Sequence, residues 1–163
     1  MIIYVSKALQ DSLKIKEADI NRDIVQDEAY CWHGHLTKLN GKNTIILMND
    51  KSTYCILLRN KLPRSADKFK ELVKEAVYGS LLLTNADFEG YFNNMSDIVF
   101  SKNHNRKILG HINEATFEAS YHDDLWSDTE TLQVENMIYV NRSLRRMGKE
   151  YIEPIEEMRK IIF

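Results

Sequence analysis

Asn40-Gly41 sits between two runs that favour extended chain, and this dipeptide limits the possible folds more than any other feature. Before it, Ala29–Leu39 alternates in part, and after it Lys42–Met48 is rich in β-branched residues. Both central residues of a type I′ turn need positive φ, which Asn and Gly adopt at least cost, so a tight β-hairpin is predicted. A second turn at Asn49–Ser52 leads into Thr53–Leu58. The three segments form an antiparallel meander from Ala29 to Arg59.

Ile2–Ser6 reads as a short strand, with Ser6 placed to cap a helix around Lys7–Leu13. Lys14–Glu28 is charged, sparsely apolar and read as irregular. From Ser65, the residues Phe69, Leu72, Val73, Ala76, Val77 and Leu81 fall at helical spacing. Asp87–Ile98 reads as a shorter helix with Phe88, Tyr91, Phe92 and Met95 inward, and Val99–Ser101 as a strand. Asn105–Tyr121 is a second strong helix, with Ile108, Ile112, Ala115 and Ala119 on one face. Ser127–Thr131 is a polar loop, and Leu132–Val140 suits strand or helix, with strand preferred. Glu153–Phe163 is a terminal helix with Pro154 in its first turn. Early strands and later helices predict an α+β fold: an antiparallel sheet with a central three-stranded meander and helices packed on one face. One domain spans residues 1–163.

Composition narrows the classes. Across 163 residues, 44% are apolar and 28% charged, which suits a folded domain rather than a disordered chain. A net charge of −2 argues against coating nucleic acid, although it leaves room for a local basic patch. Two cysteines, Cys31 and Cys55, are too few for a disulfide framework and imply a reduced, cytoplasmic setting. No stretch approaches the roughly 18 apolar residues that cross a bilayer, and no membrane partner is expected.

Several clusters invite a chemical reading. Cys31, His33 and His35 alternate along one strand and face the same way, about 7 Å apart in sequence steps. Without further ligands they form no metal site. His35-Leu36-Thr37 has the His-x-Thr form of two-histidine phosphodiesterases but lacks the second such tripeptide. His104, His111 and His122 are spaced about 10 and 16 Å apart along helix, too far to share an ion. The acidic groups at Asp123, Asp124, Asp128 and Glu130 read as a solvated loop. Asn40-Gly41-Lys42 lacks a Walker pattern, and no cofactor is expected. Arg142, Arg145, Arg146 and Lys149 form the densest basic run. With Tyr139 and Tyr151 nearby, it suits a solvated face, a protein partner or nucleic acid.

Trp32, Asn49–Thr53 and Asn105–Asn113 give the chain a family likeness. It resembles a bacterial and phage family classed only as a domain of unknown function. Members share a first strand like Ile2–Ser6, a tryptophan as at Trp32, an Asn…Thr strand end as at Asn49 and Thr53, and the stretch Asn105-Arg106-Lys107-Ile108-Leu109-Gly110-His111-Ile112-Asn113. Asn141-Arg142, Gly148 and Pro154-Ile155 match its closing segment. The chain departs from the family pattern at His111, Ile112, Glu114 and Leu144. The resemblance implies a shared fold and a shared polar set: Trp32, Asn49, Thr53, Asn105, Arg106, Asn113, Asn141 and Arg142. That set serves either as turn and cap scaffolding or as a binding pocket, with Arg145 and Arg146 adding cations. The expected function is a non-catalytic cytoplasmic binding protein with a protein partner, encoded by a phage or mobile element and acting on a host factor in the manner of an inhibitor or antitoxin. The alternatives are a small enzyme acting on a nucleotide or nucleic acid, and a nucleic-acid-binding module using Arg142–Lys149.

Overall fold

The computed structural model describes residues 1–95, 97–102 and 105–162. The Asn40-Gly41 turn forms as predicted, with φ of 48° and 78° at its two central residues. It joins β2 (Cys31–Leu39) to β3 (Lys42–Asn49), and β4 (Cys55–Arg59) completes the antiparallel meander.

The sheet as a whole is mixed, which corrects the antiparallel expectation. Strand β1 (Ile2–Val5) lies between β2 and β5 (Val99–Ser101) and runs parallel to both, giving the order β4-β3-β2-β1-β5. Connection length is the physical reason. Residues 6–30 separate β1 from β2, and a parallel pair needs a crossover of about a dozen residues or more. That crossover carries α1 (Lys7–Leu13), whose start is capped by Ser6 Oγ accepting from the Leu9 N–H at 3.3 Å.

Helices cover both faces of the sheet, not one. Side chains alternate along each strand, so Ile3, Gly34 and Leu47 share one face while His33, Thr44, Cys55 and Arg59 share the other. Leu9 of α1 packs against Gly34, where a Cβ would lie 2.8 Å from its methyl carbon. Phe69 of α2 (Ala66–Leu81) stacks on Phe100, the β5 neighbour of Ile3. Tyr91 of α3 (Glu89–Asn93) accepts from Trp32 Nε1 on this same face. The opposite face lies under α4 (Arg106–Ser120). There Trp126 donates to Ala119 O and packs beneath the Arg59 guanidinium, which in turn donates to Thr44 Oγ1.

Leu132–Val140 is not a strand. Leu132 makes a single bridge to Leu58, after which Val134–Arg142 forms helix α5, because Met137, Val140 and Asn141 recur at helical spacing and bury one face. A short hairpin that the sequence reading missed follows, β6 (Arg145–Met147) with β7 (Glu150–Ile152), turning at Gly148 with φ of 65°. Helix α6 (Pro154–Ile162) closes the described chain with Pro154 in its first turn. The helix expected over Asp87–Ile98 shortens to α3, although Phe88, Tyr91 and Met95 are buried as expected. Among the described residues, no helix is long and apolar enough to cross a membrane.

Candidate functional site

The polar residues singled out in the sequence do not converge. Trp32 and Asn49 face each other across β2 and β3, both buried. Asn49 Nδ2 donates to the carbonyls of Ala29 (2.9 Å) and Cys31 (3.3 Å), and its Oδ1 accepts from Ser52 N at 3.0 Å and Ser52 Oγ at 2.9 Å. This amide therefore closes the β3–β4 turn from inside. Thr53 completes the turn at φ 57°, a left-handed conformation unusual for a β-branched residue, with its hydroxyl buried and unpartnered. Asn141 is also buried, bonded to both backbone groups of Cys55.

The cations divide in the same way. Arg145 is 1% exposed and donates to His111 O (3.0 Å), Val140 O (3.1 Å) and Glu118 Oε2 (3.3 Å). Its guanidinium fastens the hairpin to α4 and α5 and is out of a ligand's reach, which corrects its place in the basic run. Arg142, Arg146 and Lys149 are exposed. Asn105 caps α4, its Oδ1 accepting from Lys107 N at 3.1 Å and Ile108 N at 3.5 Å. Arg106 and Asn113 are exposed on that helix.

Among the histidines, His33 is buried with its Nδ1 2.7 Å from Asp50 Oδ1, an ion-pair geometry that the sequence did not suggest. His111 meets Glu114 at 3.1 Å and the His122 ring packs on Tyr139. His104 lies outside the described residues. The acidic loop docks rather than floats: Asp123 accepts from Asn40 Nδ2, and Asp128 from Lys42 Nζ. Among the described residues, no three His, Cys, Asp or Glu side chains come together to hold a metal.

The structure instead assembles a crevice of about 730 Å³, lined by Val5, Ser6, Lys7, Arg22, His35, Lys102 and Leu109. Its position follows from the topology. Val5 ends β1 and Ser6 follows it, and Lys102 follows β5 directly. The helices that leave these two adjacent parallel strands, α1 and α4, go to opposite faces of the sheet. Such a switch point leaves a cleft beyond the strand carboxyl ends that neither helix fills, which is where open sheets of this kind bind ligands. Other hollows, of about 340 Å³ beside Lys42 and Asn60 and about 650 Å³ along the start of α2, lie away from those ends.

Three cations from separate segments line the crevice. Lys7 is held by Asp11 at 2.7 Å. Glu17 holds the other two, receiving Lys102 Nζ at 2.7 and 2.9 Å and Arg22 Nη2 at 2.5 Å, with Gln10 Nε2 at 3.2 Å. Hydrogen bonds from Lys102, Gln10 and Arg22 bring the Glu17 carboxyl down to about 2, so it is ionised through the neutral range. The Glu17 segment is itself tied to β5 by Asn21 N donating to Phe100 O at 2.9 Å.

His35 forms part of the wall. Its ring is half-buried, and burial lowers its pKa below the ordinary histidine value, which favours the neutral form. Its Nδ1 is sealed from solvent without a hydrogen-bond partner. A neutral imidazole carries one N–H, and burying that donor unpaired is costly, which favours the proton on Nε2. The crevice thus gains a neutral donor beside its cations.

The family model described as "Domain of unknown function (DUF6933)" matches residues 2–157. The chain belongs to this family. The DUF6933 match runs from β1 into α6 and so takes in both strand ends that form the crevice. No curated protein matches the chain.

Sequence reasoning found His35 for a different chemistry and Leu109 only as part of a motif. It missed Lys7, Arg22 and Lys102. The available signal was two short strands, each running into an Asn- or Ser-capped helix, which would have located the crevice once β1 and β5 were recognised as parallel neighbours.

Proposed function

We propose that this chain is a non-catalytic binding protein whose crevice beyond β1 and β5 receives a small anionic ligand. The observation that carries the reading is the convergence of Lys7, Arg22 and Lys102 with the His35 ring on one concavity. Binding rather than catalysis fits the groups there. Ser6 Oγ is engaged in capping α1, and His35 has no carboxylate partner among the described residues to orient it as a base. Lys7 supplies the cleanest test, because its exposed pair with Asp11 contributes little to stability. In a thermal-shift titration with carboxylates and phosphates, the wild-type midpoint should rise, less so at high salt. Lys7→Glu should abolish the rise without moving the unliganded midpoint. A wild-type midpoint that no anion shifts would overturn the reading.

Contact with a protein partner is a second reading, favoured by an exposed aromatic surface. Phe117 and Tyr121 meet edge-to-face at 4.8 Å, and the Tyr139 ring lies 4.3 Å from that of His122, with Arg142 one turn of α5 away. Tyr, Phe and Arg are the side chains enriched at interface centres. Pull-down of one stoichiometric protein, lost in Tyr121→Ser with Tyr139→Ser, would support it. A salt-sensitive shift of oligonucleotides by the same face would replace it with a nucleic-acid contact.

A further inference from the structure

We infer that the ligand of the crevice is an organic monoanion, a carboxylate carried on an apolar body; this rests on the anion-binding reading above. Charge and volume point the same way. The lining cations Lys7, Arg22 and Lys102 contribute three positive charges, and their direct partners Asp11 and Glu17 contribute two negative ones, leaving one positive charge to be met. His35, whose burial favours the neutral imidazole, is left out of this tally and offers an N–H. A single carboxylate balances this set, whereas a phosphate dianion would leave an unmatched negative charge beside Glu17.

The space is too large for the head group alone. A crevice of about 730 Å³ far exceeds what a bare inorganic anion fills, and such an anion would leave most of it to solvent. The walls supply apolar surface for the remainder. Val5 ends β1, and Leu109 stands on α4 at 36% exposure, turned toward the crevice rather than into the core with Ile108 and Ile112. The aliphatic stems of the two lysines extend that surface below their charged ends. Cations and branched aliphatic side chains lining one crevice suit a molecule with one charged end and one oily end.

Isothermal titration of the full chain separates the two halves of the proposal. The probes are octanoate, acetate (the same head without the body), octan-1-ol (the body without the head) and inorganic phosphate. Octanoate should bind at least tenfold more tightly than each of the others. Leu109→Ser, at a partly exposed position, should keep the fold and weaken octanoate at least threefold while leaving acetate unchanged. Equal binding of acetate and octanoate would overturn the apolar body and leave the anion reading intact. Tighter binding of inorganic phosphate would overturn the single carboxylate and likewise leave that reading standing. Octan-1-ol binding as well as octanoate, or no binding of any anion, would overturn both.

Discussion

The side-chain amide of Asn141 takes the place of a neighbouring strand for Cys55. Its Oδ1 accepts from the Cys55 N–H at 2.8 Å and its Nδ2 donates to the Cys55 carbonyl at 2.7 Å. Farther along the same outer edge of β4, Gln133 N donates to Leu57 O, and Arg59 N donates to Thr131 O. The edge strand is therefore covered by one side chain and one turn of irregular backbone, which keeps it from pairing with another chain.

Asn141→Leu should remove both bonds and leave a buried N–H and C=O unpaired, at about 2–4 kcal/mol. Urea unfolding measures this directly, and a loss under about 1 kcal/mol would mean that the edge tolerates solvent.

Arg145 and Arg146 are adjacent in sequence and opposite in role. Arg145→Met strands two carbonyls and the partly exposed Glu118 carboxylate around a buried position and should cost about 3 kcal/mol. Arg146→Ala should change stability by less than about 0.5 kcal/mol, because its side chain is exposed and donates to Gly148 O within its own hairpin. Equal melting temperatures for the two variants would show that the guanidinium of Arg145 is not what fastens the hairpin.

At the start of α4, Asn105→Ala should cost about 1 kcal/mol through loss of its cap. Arg106→Ala should stay within about 0.5 kcal/mol, since Arg106 is exposed in the first turn, where a positive charge opposes the helix dipole. Chemical denaturation of both decides the point, and a larger loss at Arg106 would make that residue part of the scaffold.

His35 gives the protein a defined acid sensitivity. Its folded-state pKa lies below the unfolded value of 6.5, with burial as the cause. Above that value both states are neutral and His35 contributes no slope. Below it the unfolded chain takes up the proton first, so stability falls with pH until the folded-state pKa is passed. His35→Gln should flatten the stability profile below pH 6.5 and leave it unchanged above. A wild-type profile retaining its full slope in the variant would assign the acid sensitivity to other groups.

How much of this was legible depended on how local each signal was. The Asn40-Gly41 turn, the Ser6 and Asn105 caps and the apolar stripes of α2 and α4 are written in adjacent residues, and the structure repeats them. The placement of β1 beside β5 is not, because pairing between Ile2 and Val99 leaves no mark in either segment. The crevice was hidden for the same reason: Lys7, Arg22 and Lys102 are unremarkable surface cations until topology brings them together. Asn49 and Asn141 were visible as unusual polar residues, but whether an amide meets a ligand or a backbone depends on what lies opposite it.

The place of β1 between β2 and β5 also sets an order of assembly. The meander β2-β3-β4 pairs residues close in sequence and can form as soon as its own segments meet, whereas β1 must wait for β5, which begins at Val99. Closing so long a loop is entropically slow. During synthesis β1 is therefore made first and completed last, with its carboxyl-end crevice absent from any chain that stops short of β5. A nascent or truncated chain can carry a formed hairpin and still lack the crevice altogether.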